Sequence, residues 1–209
     1  MHDNPDTDVT APGNAARPLS CPYAVAAAGR RALLRASVGL GVGLVTRAAG
    51  AQSDPARDRP KEGDLLVRVG SADATPLTPD NLPLGEGQVM AWPMDPAGNV
   101  VRDGSRLNKV LLLRLDPLLF DAQTAGRAAN GVVAYSAICP HTGCEVVNWM
   151  ADKQLLDCPC HNSEYDPKAG ARVISGPSPR GLAALPLRVV DGNLVVAQAF
   201  IGRLGIQQM

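Results

Sequence analysis

Most of the cysteine and histidine in this chain lies in two short stretches, CPHTGC at residues 139–144 and CPCHNSEYD at residues 158–166. The 209 residues contain five cysteines and three histidines, and the two stretches hold four and two of these. Such crowding is typical of a metal site, a disulfide framework or thiol redox chemistry. These readings imply different proteins, and the surrounding sequence has to distinguish them.

Each stretch supplies one sulfur and one nitrogen ligand: Cys139 and His141 in the first, Cys158 and His161 in the second. A set of two sulfurs and two nitrogens suits either a single zinc ion or an iron–sulfur cluster. The spacing of the residues alone does not decide between them.

The remaining cysteine of each stretch, Cys144 or Cys160, is surplus to a four-ligand site. One surplus cysteine in each stretch suits a disulfide that clips two loops together, and structural zinc sites rarely need such a clip. A disulfide also requires an oxidising compartment. The surplus pair therefore favours an exported iron–sulfur protein over a zinc module.

Short apolar runs separated by turn residues surround both stretches, and the chain has 21 Gly and 18 Pro. This pattern predicts an antiparallel all-β domain. The runs that precede the two stretches are predicted strands, so each stretch begins a loop where a strand ends. Residues 116–129 are predicted as a short helix or a loop insertion. The predicted strands are residues 65–69, 88–92, 110–115, 132–137, 154–157, 185–190 and 194–197.

The N-terminal part of the chain resembles a twin-arginine export signal. Arg30 and Arg31 precede an apolar stretch at residues 36–46, and residues 49–51 resemble a cleavage site. The uncharged run between Arg35 and Arg47 has eleven residues, whereas a membrane span needs about 20. The sequence predicts export to the periplasm, and an uncleaved signal that tethers the protein to the inner membrane stays open.

Taken together, the residues of the two stretches resemble those of Rieske iron–sulfur proteins, in which CxHxGC is followed by CPCHxSxYD. The resemblance includes Gly143, Ser163 and Tyr165 and covers residues 132–197. It implies a Rieske-type antiparallel β-sandwich with a small cluster-binding subdomain of two loops at about residues 136–180. It also implies one [2Fe-2S] cluster per chain.

The sequence predicts the following division of the chain. Residues 1–51 are the signal or a possible membrane anchor, and residues 52–63 are a flexible linker. Residues 64–200 are the Rieske domain, and residues 201–209 are a C-terminal tail. Without residues 1–51, 15 basic and 17 acidic residues remain, which gives no basic face for nucleic acid.

The resemblance also implies roles for single residues. Cys144 and Cys160 would form the disulfide, and Ser163 and Tyr165 would donate hydrogen bonds that tune the cluster. A loop that covers the cluster would be formed by GPSP, with Gly176, Pro177 and Pro179. The four metal ligands would be Cys139 and Cys158 on one iron and His141 and His161 on the other.

Imidazole ligands have two physical consequences for such a cluster. Replacing two thiolates by neutral imidazoles lowers the negative charge, so the potential rises to roughly −150 to +300 mV, against about −400 mV for plant-type ferredoxins. The imidazoles can also take up a proton when the neighbouring iron is reduced. Both properties suit a quinol oxidant. The sequence departs from the family pattern at two positions, with Thr142 in place of an apolar leucine and Asn162 in place of a glycine. Both weaken the assignment to quinol oxidation, but they do not affect the residues that would bind the cluster.

The resemblance implies an electron-transfer subunit rather than a self-contained catalyst. An oxygenase needs a further two-histidine, one-carboxylate iron site, and the only remaining histidine is His2 in the leader. The GPSP loop and the SxY pair resemble the Rieske subunit of cytochrome bc-type quinol complexes. VVAYSAICPHTGC and AFIGRLGIQQM resemble the small subunit of arsenite oxidases.

These alternatives imply different partners. The larger redox subunit would be of the cytochrome b type or the molybdopterin type, with a c-type cytochrome or a similar protein as electron acceptor. A divergent exported Rieske protein that serves another dehydrogenase is a third possibility. A structural zinc module, or a thiol oxidoreductase that uses Cys158 and Cys160, is the alternative from a different class.

Overall fold

The structure, a computed structural model, describes residues 54–206. The predicted signal at residues 1–51 lies outside this range, as do residues 52–53 of the predicted linker and residues 207–209 of the predicted tail. Within the described range, no helix combines the length and the apolar character needed to cross a membrane.

Residues 54–206 form strands connected by turns and short helices. The α-helix α1 spans Ala122–Ala125, and 3-10 helices span Pro55–Arg57, Pro79–Asn81, Arg106–Asn108 and Pro117–Leu119. The strands are β1 (Leu65–Arg68), β2 (Val89–Asp95), β3 (Val100–Val101), β4 (Val110–Arg114), β5 (Val132–Ser136), β6 (Asn148–Met150), β7 (Leu155–Cys158), β8 (Ser163–Asp166), β9 (Arg172–Ser175), β10 (Leu187–Val190) and β11 (Asn193–Val196).

The strands of this range pair in two antiparallel sheets. The larger sheet has the order β10-β11-β1-β2-β4-β5, with β3 paired to β2, and the smaller sheet has the order β6-β7-β8-β9. This confirms the predicted all-β antiparallel fold.

Strands β4 and β5 are buried on both faces. Along β4, Val110 and Leu112 pack in one core, while Leu111 and Leu113 pack in a second core. Because side chains alternate between the two faces of a strand, a continuous apolar run such as VLLL fills both cores. The second core also contains Leu156, Tyr165 and the two cysteines Cys139 and Cys158. The larger sheet therefore packs on one side of the core that contains these cysteines.

Seven of the strands lie close to the predicted ones, and β3, β6, β8 and β9 are additional. Strand β8 begins at Ser163, so the SEYD part of the second stretch is a strand, where the sequence analysis places a loop. Its buried residues are Ser163 and Tyr165. Because both are polar, the sequence does not show the alternation of apolar and polar residues that marks a half-buried strand. Residues 116–129 contain a 3-10 helix and α1, consistent with the predicted short helix or insertion.

Residues 54–63 contact the larger sheet at Gly63, whose N–H donates to the carbonyl oxygen of Val196 in β11 at 3.0 Å. Arg102 donates hydrogen bonds of 2.6 and 3.0 Å to the carboxylate of Asp64, and both side chains are buried. Arg102 also donates to the carbonyl oxygen of Pro55, and Arg59 donates to Asn108 Oδ1. The predicted flexibility of this segment stays a prediction.

Candidate metal centre

The first cysteine loop follows β5 and is closed by backbone hydrogen bonds. Ile138 and Glu145 form an isolated antiparallel bridge at its base. The N–H of Cys139 donates to the carbonyl oxygen of Cys144 at 2.8 Å, and the N–H of Gly143 donates to that of Cys139 at 3.1 Å. Gly143 has a φ of +80°, a left-handed conformation that glycine adopts without steric cost. These bonds hold the loop around Cys139.

The second cysteine loop connects two paired strands. Cys158 is the last residue of β7, and it pairs with Ser163, the first residue of β8. The N–H of Asn162 donates to the carbonyl oxygen of Cys158 at 2.9 Å, as Gly143 does in the first loop. Asn162 has a φ of +53°, and asparagine tolerates this region better than most residues. Asn162, in place of the glycine that the family commonly has, therefore still allows the turn.

A disulfide joins the two loops. The Sγ atoms of Cys144 and Cys160 are 2.08 Å apart. These sulfurs also lie within 4.8 Å of Cys158 Sγ, but a disulfide offers no thiolate to a metal ion. The group of three sulfurs is therefore not a metal site in itself. The thiols left for a metal in residues 54–206 are Cys139 and Cys158.

The two free thiols are buried in the second core, each 1% exposed. Burial raises the pKa of the Cys158 thiol, and the neighbouring Cys139 thiol raises it further. The buried Cys158 thiol resists ionisation, so a cation beside it is needed to hold it as a thiolate.

The imidazoles of the two loops lie against each other. The rings of His141 and His161 are 4.6 Å apart between centroids and are nearly perpendicular, at 86°. His141 Nδ1 is buried, and no atom of residues 54–206 forms a hydrogen bond with it. A buried nitrogen without a partner is costly, and a metal ion would satisfy it. The loops thus place the two thiols beside each other and the two imidazoles beside each other, and this donor set fits a Rieske-type [2Fe-2S] cluster.

The two predicted tuning residues face this centre from β8. The Tyr165 hydroxyl lies 3.1 Å from Cys139 Sγ, and both Ser163 and Tyr165 are fully buried. Burial raises the pKa of Tyr165, and the hydrogen bond with Cys139 raises it further, so the phenol keeps its proton. Tyr165 is therefore able to donate to the sulfur of Cys139.

The predicted covering loop packs on the second cysteine loop. Ser163 Oγ accepts a hydrogen bond of 3.2 Å from the N–H of Ser178. Gly176 has a φ of +87°, and a Cβ there would lie 2.5 Å from the carbonyl oxygen of Asn162. Only glycine allows this approach of backbone to backbone. Gly176, Pro177 and Pro179 are themselves exposed.

Two contacts of the site were not predicted from the sequence. Ser178 lies inside GPSP, and its role becomes visible only when the loop meets Ser163. Arg106 donates a hydrogen bond to the carbonyl oxygen of Gly143, 37 residues later in the chain. No local pattern marks either contact, because each depends on the packing of distant segments.

Comparisons with known proteins agree with this geometry. A family model for the Rieske [2Fe-2S] domain matches residues 102–186. The cytochrome bc1 complex Rieske iron-sulfur subunit of Streptomyces lividans is 32% identical over 142 residues, which cover 65% of this chain and 80% of that protein.

Two further relatives match over shorter lengths. A putative respiratory nitrate reductase subunit Rieske of Haloferax mediterranei is 36% identical over 124 residues, or 58% of this chain and 53% of that protein. A cytochrome b6-f complex iron-sulfur subunit of Prochlorococcus marinus is 42% identical over 73 residues, or 35% of this chain and 39% of that protein. The chain thus spans about half, or less, of these two relatives.

Proposed function

Because this chain belongs to the Rieske [2Fe-2S] family, we propose that it is the exported electron-transfer subunit of a cytochrome bc-type respiratory complex. Its cofactor is a Rieske-type [2Fe-2S] cluster. The observation that carries the proposal is that two loops joined by a disulfide carry two buried free thiols, Cys139 and Cys158, and two imidazoles in edge-to-face contact.

The proposed ligands are Cys139 and Cys158 for one iron and His141 and His161 for the other. A cluster held by these four residues would supply one-electron transfer. Cys139 and Cys158 exclude water from the sulfur side because they are part of the second core. His161 is exposed, so its ring is the ligand through which a partner or a proton reaches the site. The Cys144–Cys160 disulfide keeps the loops of the two histidines together.

The hydroxyl groups of β8 support a high reduction potential. A hydrogen bond from Tyr165 to Cys139 Sγ withdraws negative charge from a ligand sulfur, which favours the reduced state. Ser163 accepts the N–H of Ser178, which leaves its own hydroxyl proton free for a second acceptor. A potential in the range of quinol oxidants follows from these donors together with the imidazole ligands.

The relatives support a quinol-oxidising complex. Two of the three relatives described above are named as subunits of cytochrome bc1 and b6-f complexes. A larger subunit of the cytochrome b type and a c-type cytochrome acceptor are the corresponding partners. The Haloferax relative, named as a putative respiratory nitrate reductase subunit, supports a second candidate, a respiratory reductase whose larger subunit is of the predicted molybdopterin type. The arsenite oxidase type stays a prediction.

Export by the twin-arginine route is part of this proposal. Arg30 and Arg31 precede the apolar stretch at residues 36–46, and the disulfide requires an oxidising compartment. The protein is then periplasmic, and an uncleaved signal would tether it to the inner membrane. Changing both arginines to lysine should retain the protein in the cytoplasm, and periplasmic protein from that variant would contradict this route.

The test of the proposal is electron paramagnetic resonance of the purified, dithionite-reduced protein. We expect a coloured protein with two iron atoms per chain and the low average g-value of a histidine-ligated cluster. A colourless protein that contains zinc would overturn the proposal and favour the zinc module. The thiol oxidoreductase alternative requires Cys158 and Cys160 to bond to each other, whereas Cys160 bonds to Cys144 in the structure.

The partner is tested separately by purification of the native complex. A cytochrome b-type subunit in that complex supports the quinol-oxidising assignment. A molybdopterin subunit in its place would move the assignment to the second candidate.

A further inference from the structure

The outer side of the first cysteine loop is held by a group that the proposed ligand set does not use. Arg106 Nη2 donates a hydrogen bond to the carbonyl oxygen of Gly143. The N–H of Gly143 in turn donates to the carbonyl oxygen of Cys139, 3.1 Å away. Two hydrogen bonds therefore connect the guanidinium of Arg106 to the backbone of a proposed ligand.

The C-terminal segment, residues 201–206, lies against the same loop. Ile201 and Ala184 exchange backbone hydrogen bonds of 2.8 and 2.9 Å, which fix the start of the segment. At its end, a Cβ on Gly143 would lie 3.5 Å from Ile206 Cγ2 and 3.9 Å from Arg106 Nη1. Ile206 and Arg106 therefore contact the loop side by side.

Close packing fixes this segment beside Arg106. Gly205 has a φ of +65°, and a Cβ there would lie 2.8 Å from Cδ2 of Leu107, the residue after Arg106. Arg180 Nη2 donates to the carbonyl oxygen of Gly205. The predicted C-terminal tail is thus a packed part of the site up to residue 206.

The charge of Arg106 is not neutralised nearby. Among residues 54–206, no carboxylate oxygen lies within 4.0 Å of the Arg106 or the Arg180 guanidinium. A cluster gains one negative charge when it is reduced, and a nearby cation stabilises that charge. Arg106 is exposed, so water and salt screen much of the interaction.

We propose that Arg106 is a positioning residue of the metal centre, which fixes the first loop through Gly143 and raises the reduction potential by its charge. Ile206 lies beside this contact. The proposal rests on the ligand set of the proposed function. Its two parts, position and charge, are separable by experiment.

The experiment compares two substitutions of Arg106 in the cluster-loaded protein. Arg106→Gln removes the charge, and Arg106→Lys keeps it but cannot reproduce the planar guanidinium geometry. The midpoint potential is measured by redox titration followed by electron paramagnetic resonance. The rate of cluster bleaching by an iron chelator reports how firmly the loop is held. We expect Arg106→Gln to lower the potential and to bleach several-fold faster, and Arg106→Lys to keep the potential but bleach faster.

A matched control is Arg68→Gln, which removes the same charge at another place. Arg68 also donates to a backbone carbonyl, that of Asn81, and has no carboxylate partner within residues 54–206. It lies in β1, three strands from β5 in the larger sheet, or roughly 14 Å at about 4.8 Å per strand. At physiological salt this exceeds the screening length of about 8 Å. We expect this variant to keep the wild-type potential.

Specific results would overturn the inference. An Arg106→Gln potential equal to that of the wild type, or an equal shift in Arg68→Gln, contradicts it. If Arg106→Gln loses the cluster, the measurement is made on Arg106→Lys, and bleaching at the wild-type rate then contradicts it. Failure of the proposed function gives a different result, because the wild type itself would then lack the signal of a histidine-ligated cluster.

Discussion

The two cysteine loops begin alike and are supported differently. Each starts with Cys-Pro, and in each the carbonyl oxygen of that cysteine accepts the N–H of the residue four positions later, Gly143 or Asn162. The second loop is the turn of a hairpin in a four-stranded sheet. The first loop rests on an isolated bridge between Ile138 and Glu145 and is held from outside by Arg106.

The difference shows where each loop obtains its geometry. The hairpin of β7 and β8 fixes the second loop locally, because the pair Cys158 and Ser163 belongs to a regular ladder. The first loop depends on remote contacts, including the disulfide from Cys144 to Cys160. We therefore expect substitutions that remove remote contacts to affect the first loop more than the second.

The largest expected effect comes from the ligand cysteines, where the two loops should behave identically. Cys139→Ala and Cys158→Ala should each abolish the cluster, because the remaining thiolate and two imidazoles leave one iron short of a ligand. Visible absorbance and iron content measure the loss. Cys21→Ala, in the N-terminal part, is the control and should keep full cluster content. Retention of the cluster in either ligand variant would show that the ligand set is wrong.

Removal of the disulfide should have the next largest effect. The double variant Cys144→Ser with Cys160→Ser opens a link across 16 residues. A loop of about this length corresponds to roughly 3 kcal/mol of stability in the chain-entropy model. Urea unfolding of the cluster-loaded protein measures the change. Stability equal to that of the wild type would mean that the first loop is held without the disulfide.

Substitution of Gly143 and Asn162, the two loop residues with positive φ, should change the stability of the protein to different extents. Gly143→Ala places a side chain at a φ of +80°, which costs about 1–2 kcal/mol. Asn162→Gly should leave the unfolding free energy nearly unchanged, because glycine adopts a φ of +53° without strain. Thermal or urea unfolding of the two variants gives the comparison. An equal loss in both would show that the loops respond alike.

The smallest expected effect is on the potential. Tyr165→Phe removes the donor at 3.1 Å from Cys139 Sγ, and a hydrogen bond is worth about 1 kcal/mol. For one electron this corresponds to a decrease of roughly 40 mV. Tyr135→Phe is the matched control, since Tyr135 is equally buried but donates to the carbonyl oxygen of Pro167 at 2.7 Å. A redox titration in which both variants shift alike would refute a specific role of Tyr165.

The sequence predicts the apolar strands and the ligand motifs better than the long-range side-chain contacts that stabilise them. Runs such as Val110–Arg114 and Val132–Ser136 are recognisable because their apolar residues are continuous. Strand β8 is not recognisable, since its buried positions Ser163 and Tyr165 carry hydroxyl groups. The motif predicts that two cysteines and two histidines meet. It contains no sign of Arg106, or of the buried pair of Arg102 and Asp64, because these contacts join residues 37 or 38 positions apart.

Burial of β4 and β5 on both faces has a consequence for the dynamics of the protein. We expect amide hydrogens of these strands to exchange slowly with solvent, because both cores pack against them. The loop of Cys139 is connected directly to β5, so its base is anchored in a strand that we expect to exchange slowly. Local fraying of β9, whose residues are mostly exposed, would leave that base in place.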